Sequence, residues 1–187
     1  PMINAAGTLG FMATLDAGED VGLFTSNGTT TTTIALRSGP TFSAFNEPSI
    51  NASGKLGFNA NLESGVNGVF TSDGTTTTTI ALPGLTYSNF VSIVSIDSAG
   101  RVAFNAGLQA GGRGLFIGDG TTTVPVLRTG DALFGSTVIG FAVGREGLND
   151  AGQVGFYYQL ADGRNGVAIA TPAPGCSVDT DGDGTAD

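Results

Sequence analysis

The 187-residue sequence predicts an all-β protein, an antiparallel β-propeller-like repeat of roughly 3.5 to 4 blades, with four strands and about 46 residues in each. Three observations predict it. One motif recurs four times in register, apolar residues alternate with period two inside each copy, and no stretch carries the i, i+3, i+4, i+7 apolar stripe of a helix.

The recurring segments are "INAAGTLGFMATL" from Ile3, "INASGKLGFNANL" from Ile50, "IDSAGRVAFNAGL" from Ile96 and "LNDAGQVGFYYQL" from Leu148. Their anchors Asn4, Asn51, Asp97 and Asn149 stand 47, 46 and 52 residues apart. Each opens with Asn/Asp-x-x-Gly, a tight turn in which Asn tolerates left-handed backbone and Gly supplies it freely. The first strand follows: Leu9, Phe11, Ala13 and Leu15, then Leu56, Phe58, Ala60 and Leu62, alternate with the other face, and the third and fourth copies do the same from Val102 and Val154.

A second strand reads "VGLFTS" from Val21, "GVFTS" from Gly68, "GLFIG" from Gly114 and "GVAIA" from Gly166. It ends in Asn27-Gly28, Asp73-Gly74 or Asp119-Gly120, the signal of a type I′ hairpin turn with two positive φ angles. Threonine runs come next. Because Thr is β-branched and favours extended backbone, "TTTTTIAL" reads as the third strand, with its hydroxyls on an exposed face. A fourth strand carries the aromatic pairs Phe42 and Phe45, Tyr87 and Phe90, and Phe134 and Phe141.

The units so defined run 3–49, 50–95, 96–147 and a half-unit 148–170, inside a repeat domain 1–170. "PMIN" reads as the end of a preceding fourth strand, so an upstream half-unit would complete the last blade. Terminal strands without that partner would present open edges, which are templates for pairing with another chain. The chain opens on Pro1 with neither an initiator Met nor a signal peptide and reads as a processed or partial form. Residues 171–178 read as a Pro/Gly hinge, and 179–187 as the start of an acidic calcium-type repeat.

Composition narrows the chemistry. Charged residues are only 12% and glycines number 31, so Thr, Ser, Asn and Gly must cover the surface, as suits a secreted all-β protein. Sixteen acidic against 7 basic residues give a net charge of −9, which disfavours nucleic-acid and anionic-membrane surfaces as partners. No apolar run is long enough for a membrane-spanning helix. With no histidine, a Ser-His-Asp triad, a Cys-His dyad and a His-ligated zinc are excluded. Cys176, the single cysteine, can form a disulfide only with another chain or with residues beyond Asp187.

The pattern Asn-x-x-Gly-x-Val/Leu-x-Phe-x-x-x-Leu, followed by Gly-Val/Leu-Phe and an Asn/Asp-Gly turn, resembles bacterial secreted choice-of-anchor tandem-repeat proteins over Ile3 to about Pro174. The resemblance implies a propeller-like fold, an extracellular or cell-surface location and no defined enzymatic activity. The tail resembles type 3 thrombospondin-like and dockerin-like repeats. In it Asp179, Asp181, Asp183 and Asp187 fall on positions 1, 3, 5 and 9 of a calcium loop, Gly184 on 6 and Thr185 on 7; the closing acid at 12 would lie past Asp187. A solvated acidic linker is the plainer reading of the same stretch.

Two sequons, Asn27-Gly28-Thr29 and Asn51-Ala52-Ser53, are expected by chance in a Thr- and Asn-rich chain. The pair Glu19 and Asp20 reads as a solvated hairpin loop. The function expected first is therefore a non-enzymatic extracellular structural or adhesive repeat protein that self-assembles through strand edges, as in a surface filament. The alternative is a secreted glycan- or ligand-binding propeller module. A paired-carboxylate hydrolase is weakest, because no acid recurs at an inward strand position.

Overall fold

The computed structural model describes residues 1–15 and 20–171, which form 17 strands in four antiparallel sheets. Sheet 1 runs β1 (Met2–Ile3), β2 (Leu9–Thr14), β3 (Val21–Ser26), β4 (Thr31–Leu36). In sheet 2, β5 (Phe42–Phe45) and β6 (Ser49–Ile50) both pair with β7 (Leu56–Leu62), followed outward by β8 (Asn67–Ser72) and β9 (Thr77–Ala81). Sheet 3 is β10 (Tyr87–Ile96), β11 (Val102–Leu108), β12 (Arg113–Gly118), β13 (Thr123–Arg128). Sheet 4 is β14 (Ala132–Leu133), β15 (Ser136–Leu148), β16 (Val154–Leu160), β17 (Asn165–Ala170).

Sheet and sequence repeat are out of phase by one strand. The fourth strand of each sequence unit pairs with the first strand of the next: β10 pairs β11 with Ile96 opposite Val102, and β15 pairs β16 with Leu148 opposite Val154. The Asn/Asp-x-x-Gly turn thus links the two inner strands within one sheet. Its glycines carry the positive φ, +79° at Gly7, +85° at Gly54 and Gly100 and +77° at Gly152. The anchor side chain does something else. Asn51 Oδ1 accepts the amides of Ser53 (3.1 Å) and Lys55 (2.9 Å), and Asn4, Asp97 and Asn149 cap their turns in the same way.

The Asn/Asp-Gly hairpins differ from the expected type I′ turn. Gly28, Gly74 and Gly120 have positive φ, but among the described residues Phe134 is the only non-glycine with positive φ. The connection is a four-residue loop, Asn27 N donating to Thr30 O at 3.3 Å. Asn27 Oδ1 takes the Thr29 and Thr30 amides, Asp73 those of Thr75 and Thr76, and Asp119 those of Thr121 and Thr122, at 2.7–3.0 Å. A short polar side chain that accepts two amides makes a second left-handed residue unnecessary. The third strands then start at Thr31, Thr77 and Thr123, with Thr31, Thr32 and Thr33 exposed and Ile34 buried.

Consecutive sheets pack face to face, and each boundary is built alike. Leu23 and Ile34 of sheet 1 meet Leu56, Phe58, Ala60 and Phe70 of sheet 2; Val69 and Ile80 of sheet 2 meet Val102, Phe104, Ala106 and Phe116 of sheet 3. Leu115, Ile117 and Leu127 of sheet 3 meet Val138, Val154, Phe156 and Leu160 of sheet 4. Inner-strand aromatics complete two of these layers: Phe42 packs edge-on against Phe58 and Phe70, and Tyr87 against Phe104 and Phe116, with centroids 5.1–5.8 Å apart. Each such aromatic contributes about 1.5–3 kcal/mol by leaving water, an upper estimate against an extended unfolded chain.

Candidate functional site: an axial cleft

The inner strands of all four sheets end on one cleft of about 240 Å³. Its apolar wall is one residue per sheet, Ile3, Ile50, Ile96 and Leu148, and its polar rim is Asn4, Asn51, Ser98, Arg145, Glu146 and Asp150. Equivalent positions of four repeats therefore converge on a common axis. The inner strands of sheets 3 and 4 reach it through breaks in pairing that lie two residues apart in register. Residues 91–93 stand between the pairs Phe90–Ala106 and Val94–Phe104, and residues 144–147 between Val143–Phe156 and Leu148–Val154. Such bulges re-aim side chains out of the sheet plane. In sheet 2 the break at 46–48 carries Glu47, which forms an ion pair with Arg145 from the bulge of β15.

A relay of hydrogen bonds runs around the rim. Asn4 Nδ2 donates to Asn51 O (2.9 Å), and Asn51 Nδ2 donates to Asp97 O (3.0 Å). Asp97 has only acceptor oxygens and cannot pass the relay on. There Ser98 N donates to Asp150 Oδ1 (2.8 Å), Leu148 N donates to Ser95 Oγ (3.0 Å), and Arg101 takes over the spanning role. Its Nε donates to Asp97 Oδ2 at 2.6 Å, and its guanidinium lies over the Gly152 turn, within 2.9 Å of where a Cβ would stand. Asn149 Nδ2 ends the relay on Gln153 of its own turn.

The cleft is held by polar groups already engaged with one another. Asp150 is pulled below the usual carboxylate range by the amide and hydroxyl of Ser98. Asp20 is lowered first by the hydroxyl of Ser38, and Asp162 first by Arg164. All three stay ionised, whereas a general acid needs its pKa raised. Glu19, the other half of the acidic pair, lies outside the described residues, as do Asp179, Asp181, Asp183, Thr185 and Asp187 of the calcium-type tail. Among the described residues no group of three or more His, Cys, Asp or Glu side chains is placed to hold a metal ion.

The two sequons part ways. Asn27 is exposed, but Asn51 is buried with its amide nitrogen committed to Asp97 O, so folding removes it as a sugar acceptor. The relay itself escaped the sequence reading, since nothing in one turn signals a partner 47 residues away. Its signal was the recurrence of Asn at the anchor.

The fold and rim define a four-sheet β-repeat protein. A family model, described as a family of unknown function (DUF7453), matches residues 33–143, and the chain belongs to that family. The match runs from Thr33 in β4 to Val143 in β15 and so takes in all of sheets 2 and 3. No curated protein and no solved structure matches the chain. Among the described residues no helix is long and apolar enough to cross a membrane.

Proposed function

We propose that the chain is a non-enzymatic, extracellular structural repeat protein, a propeller-like array that works by association. One observation carries the reading. Strand positions that are buried at every internal sheet boundary are exposed on the two end sheets: Leu56 and Leu115 are 0% accessible, but their counterparts Leu9 and Val167 are 38% and 77% accessible. Exposed apolar strand positions grouped on one sheet face are characteristic of an interaction surface. The polar residues of the recurring motif are occupied in joining sheets, which supports an architectural rather than catalytic use. The extracellular part of the reading rests on the Thr-, Asn- and Gly-rich, low-charge composition and on the resemblance of the repeat.

Sedimentation velocity over a concentration series tests it, with electron microscopy of the concentrated sample. Concentration-dependent oligomers or filaments are expected. A monodisperse monomer at millimolar concentration would contradict the reading.

A second reading, a ligand- or glycan-binding module, is favoured by the axial cleft, where four repeats bring polar groups to one concave site. Binding on a glycan array in the presence of calcium, abolished by Arg145→Ala, is its expected signature. An array without hits retires it.

A further inference from the structure

We propose that the end of sheet 4 opposite the axial cleft is a saccharide-binding site, where the exposed Phe134 ring stacks on the C–H face of a neutral pyranose while Asp162 and Arg164 take its hydroxyls. This goes beyond the reading that the chain works by association, and it uses none of the residues that line the cleft.

Phe134 was expected in the fourth strand, but it stands in the two-residue turn between Leu133 and Ser136, the paired ends of β14 and β15. Its φ of +50°, followed by +77° at Gly135, is the left-handed pair of a type I′ turn, whose first residue is ordinarily Asn, Asp or Gly. A bulky side chain there strains the backbone and gains little packing. The ring meets Tyr158 with centroids 5.4 Å apart yet stays 58% accessible, whereas the fourth-strand aromatics Phe42 and Phe90 are 4% and 9% accessible. Strain of this kind concentrates at functional sites.

The surroundings are polar and fixed. Ala161 N donates to Thr137 O at 2.8 Å, which brings the turn between β16 and β17 against the turn that carries Phe134. Arg164 Nη2 donates to Phe134 O at 2.9 Å and pairs with Asp162 Oδ2 at 2.6 Å, and Nε donates to the same carboxylate oxygen at 2.8 Å. Both side chains stay open to solvent, Arg164 55% and Asp162 39% accessible. Because the two charges cancel, the site favours a neutral ligand rich in donors and acceptors over an ion. A pyranose offers both halves of the match: C–H bonds of slight positive charge for the negative face of an aromatic ring, and hydroxyls that donate to a carboxylate or accept from a guanidinium. A nucleotide would stack as well, but its phosphates meet a net charge of −9.

The cluster belongs to one repeat alone. The third sequence unit has the longest anchor spacing, 52 residues, and most of the excess lies between Leu127 and Val138, where it builds β14 and this turn. Where sheet 4 has Arg164, sheets 2 and 3 have Val66 and Gly112, whose carbonyls accept the same turn amide. The interface shared by all four sheets accounts for the repeated residues; it does not account for Phe134, Asp162 or Arg164.

Saturation-transfer NMR with neutral oligosaccharides of glucose, mannose and galactose tests this on the 187-residue parent, Phe134→Asn, Arg164→Ala and, as a control in the cleft, Arg145→Ala. The parent is expected to transfer magnetisation to the C–H protons of one sugar face. Asn is a residue that a type I′ turn prefers, so Phe134→Asn is expected to keep or raise the thermal midpoint while losing the transfer. Arg164→Ala is expected to weaken affinity about tenfold, the loss of a hydrogen bond to a charged group, and Arg145→Ala to leave it unchanged. Transfer kept in Phe134→Asn but lost in Arg145→Ala would move binding to the cleft and overturn this site. No transfer to any of the sugars from the parent would overturn it outright, and a Phe134→Asn midpoint well below the parent's would assign the ring to packing on Tyr158 instead. Association is read separately by sedimentation, so either reading can fail without the other.

Discussion

Asn51 shows how much one repeated side chain carries. Its Oδ1 holds two amides of its own turn and its Nδ2 ties sheet 2 to sheet 3, all in a residue 5% accessible. Removing it strands buried donors and an acceptor, so Asn51→Ala should cost about 2–3 kcal/mol in urea unfolding. Asn149→Ala, on an exposed turn where Nδ2 is given to Gln153 of the same turn, should cost less than about 1 kcal/mol. A second comparison uses the hairpin glycines. A Cβ on Gly120 would stand 2.8 Å from Thr79 O of the preceding sheet, one on Gly74 3.0 Å from Thr33 O, and one on Gly28 would meet nothing within 4 Å. All three have positive φ, which costs about 1 kcal/mol for Ala at each. Gly120→Ala should therefore lower the urea midpoint well beyond Gly28→Ala, and equal losses would mean the turns do not pack between sheets. The sequence made these residues legible as turn formers, because Asn-Gly and Asn-x-x-Gly carry a local mechanism. Their second task was illegible, because a hydrogen bond between turns 47 residues apart leaves no local pattern.

Strands and loops set the acid response and the core. The backbone amides that Asp73 and Asp119 accept hold both carboxyls below the usual carboxylate range. A folded-state pKa below the unfolded one stabilises the native state above the unfolded carboxylate pKa of about 4, and that contribution is lost as pH falls through the folded value. Asn retains an acceptor oxygen but does not titrate. The double variant Asp73→Asn, Asp119→Asn should thus melt below the parent near neutrality and approach it in acid, losing less of its midpoint as pH falls; a gap that does not narrow with falling pH would place the acid sensitivity elsewhere. In the core, Phe104 is 0% accessible and touches Tyr87, Phe90 and Phe116, so Phe104→Ala should cost about 3–5 kcal/mol. At this scale sequence and structure agree on strand content, since period-two alternation reports which residues share a face. It does not report which neighbouring strand pairs, so the fourth strand's place in the next sheet emerged only with the register of Ile96 on Val102. The bulges of β10 and β15 were equally hidden: extra residues in a strand, two in β10 and three in β15, resemble a loop until their partner is known.

At the largest scale the described residues are four sheets joined by one repeated interface, with the outer faces of sheets 1 and 4 exposed. Repetition makes stability nearly a sum of neighbouring contacts. The half-unit from residue 148 raised an expectation of open strand edges, and the pairing within sheet 4 became legible only with the register of Leu148 on Val154. The axial cleft was less legible, because its lining comes from four places that only packing brings together. The most direct measurement is sedimentation velocity of the 187-residue chain over a concentration series in a Cys176→Ser background, which removes disulfide-linked dimers. The account predicts oligomers that grow with concentration. A monodisperse monomer at millimolar concentration would contradict it.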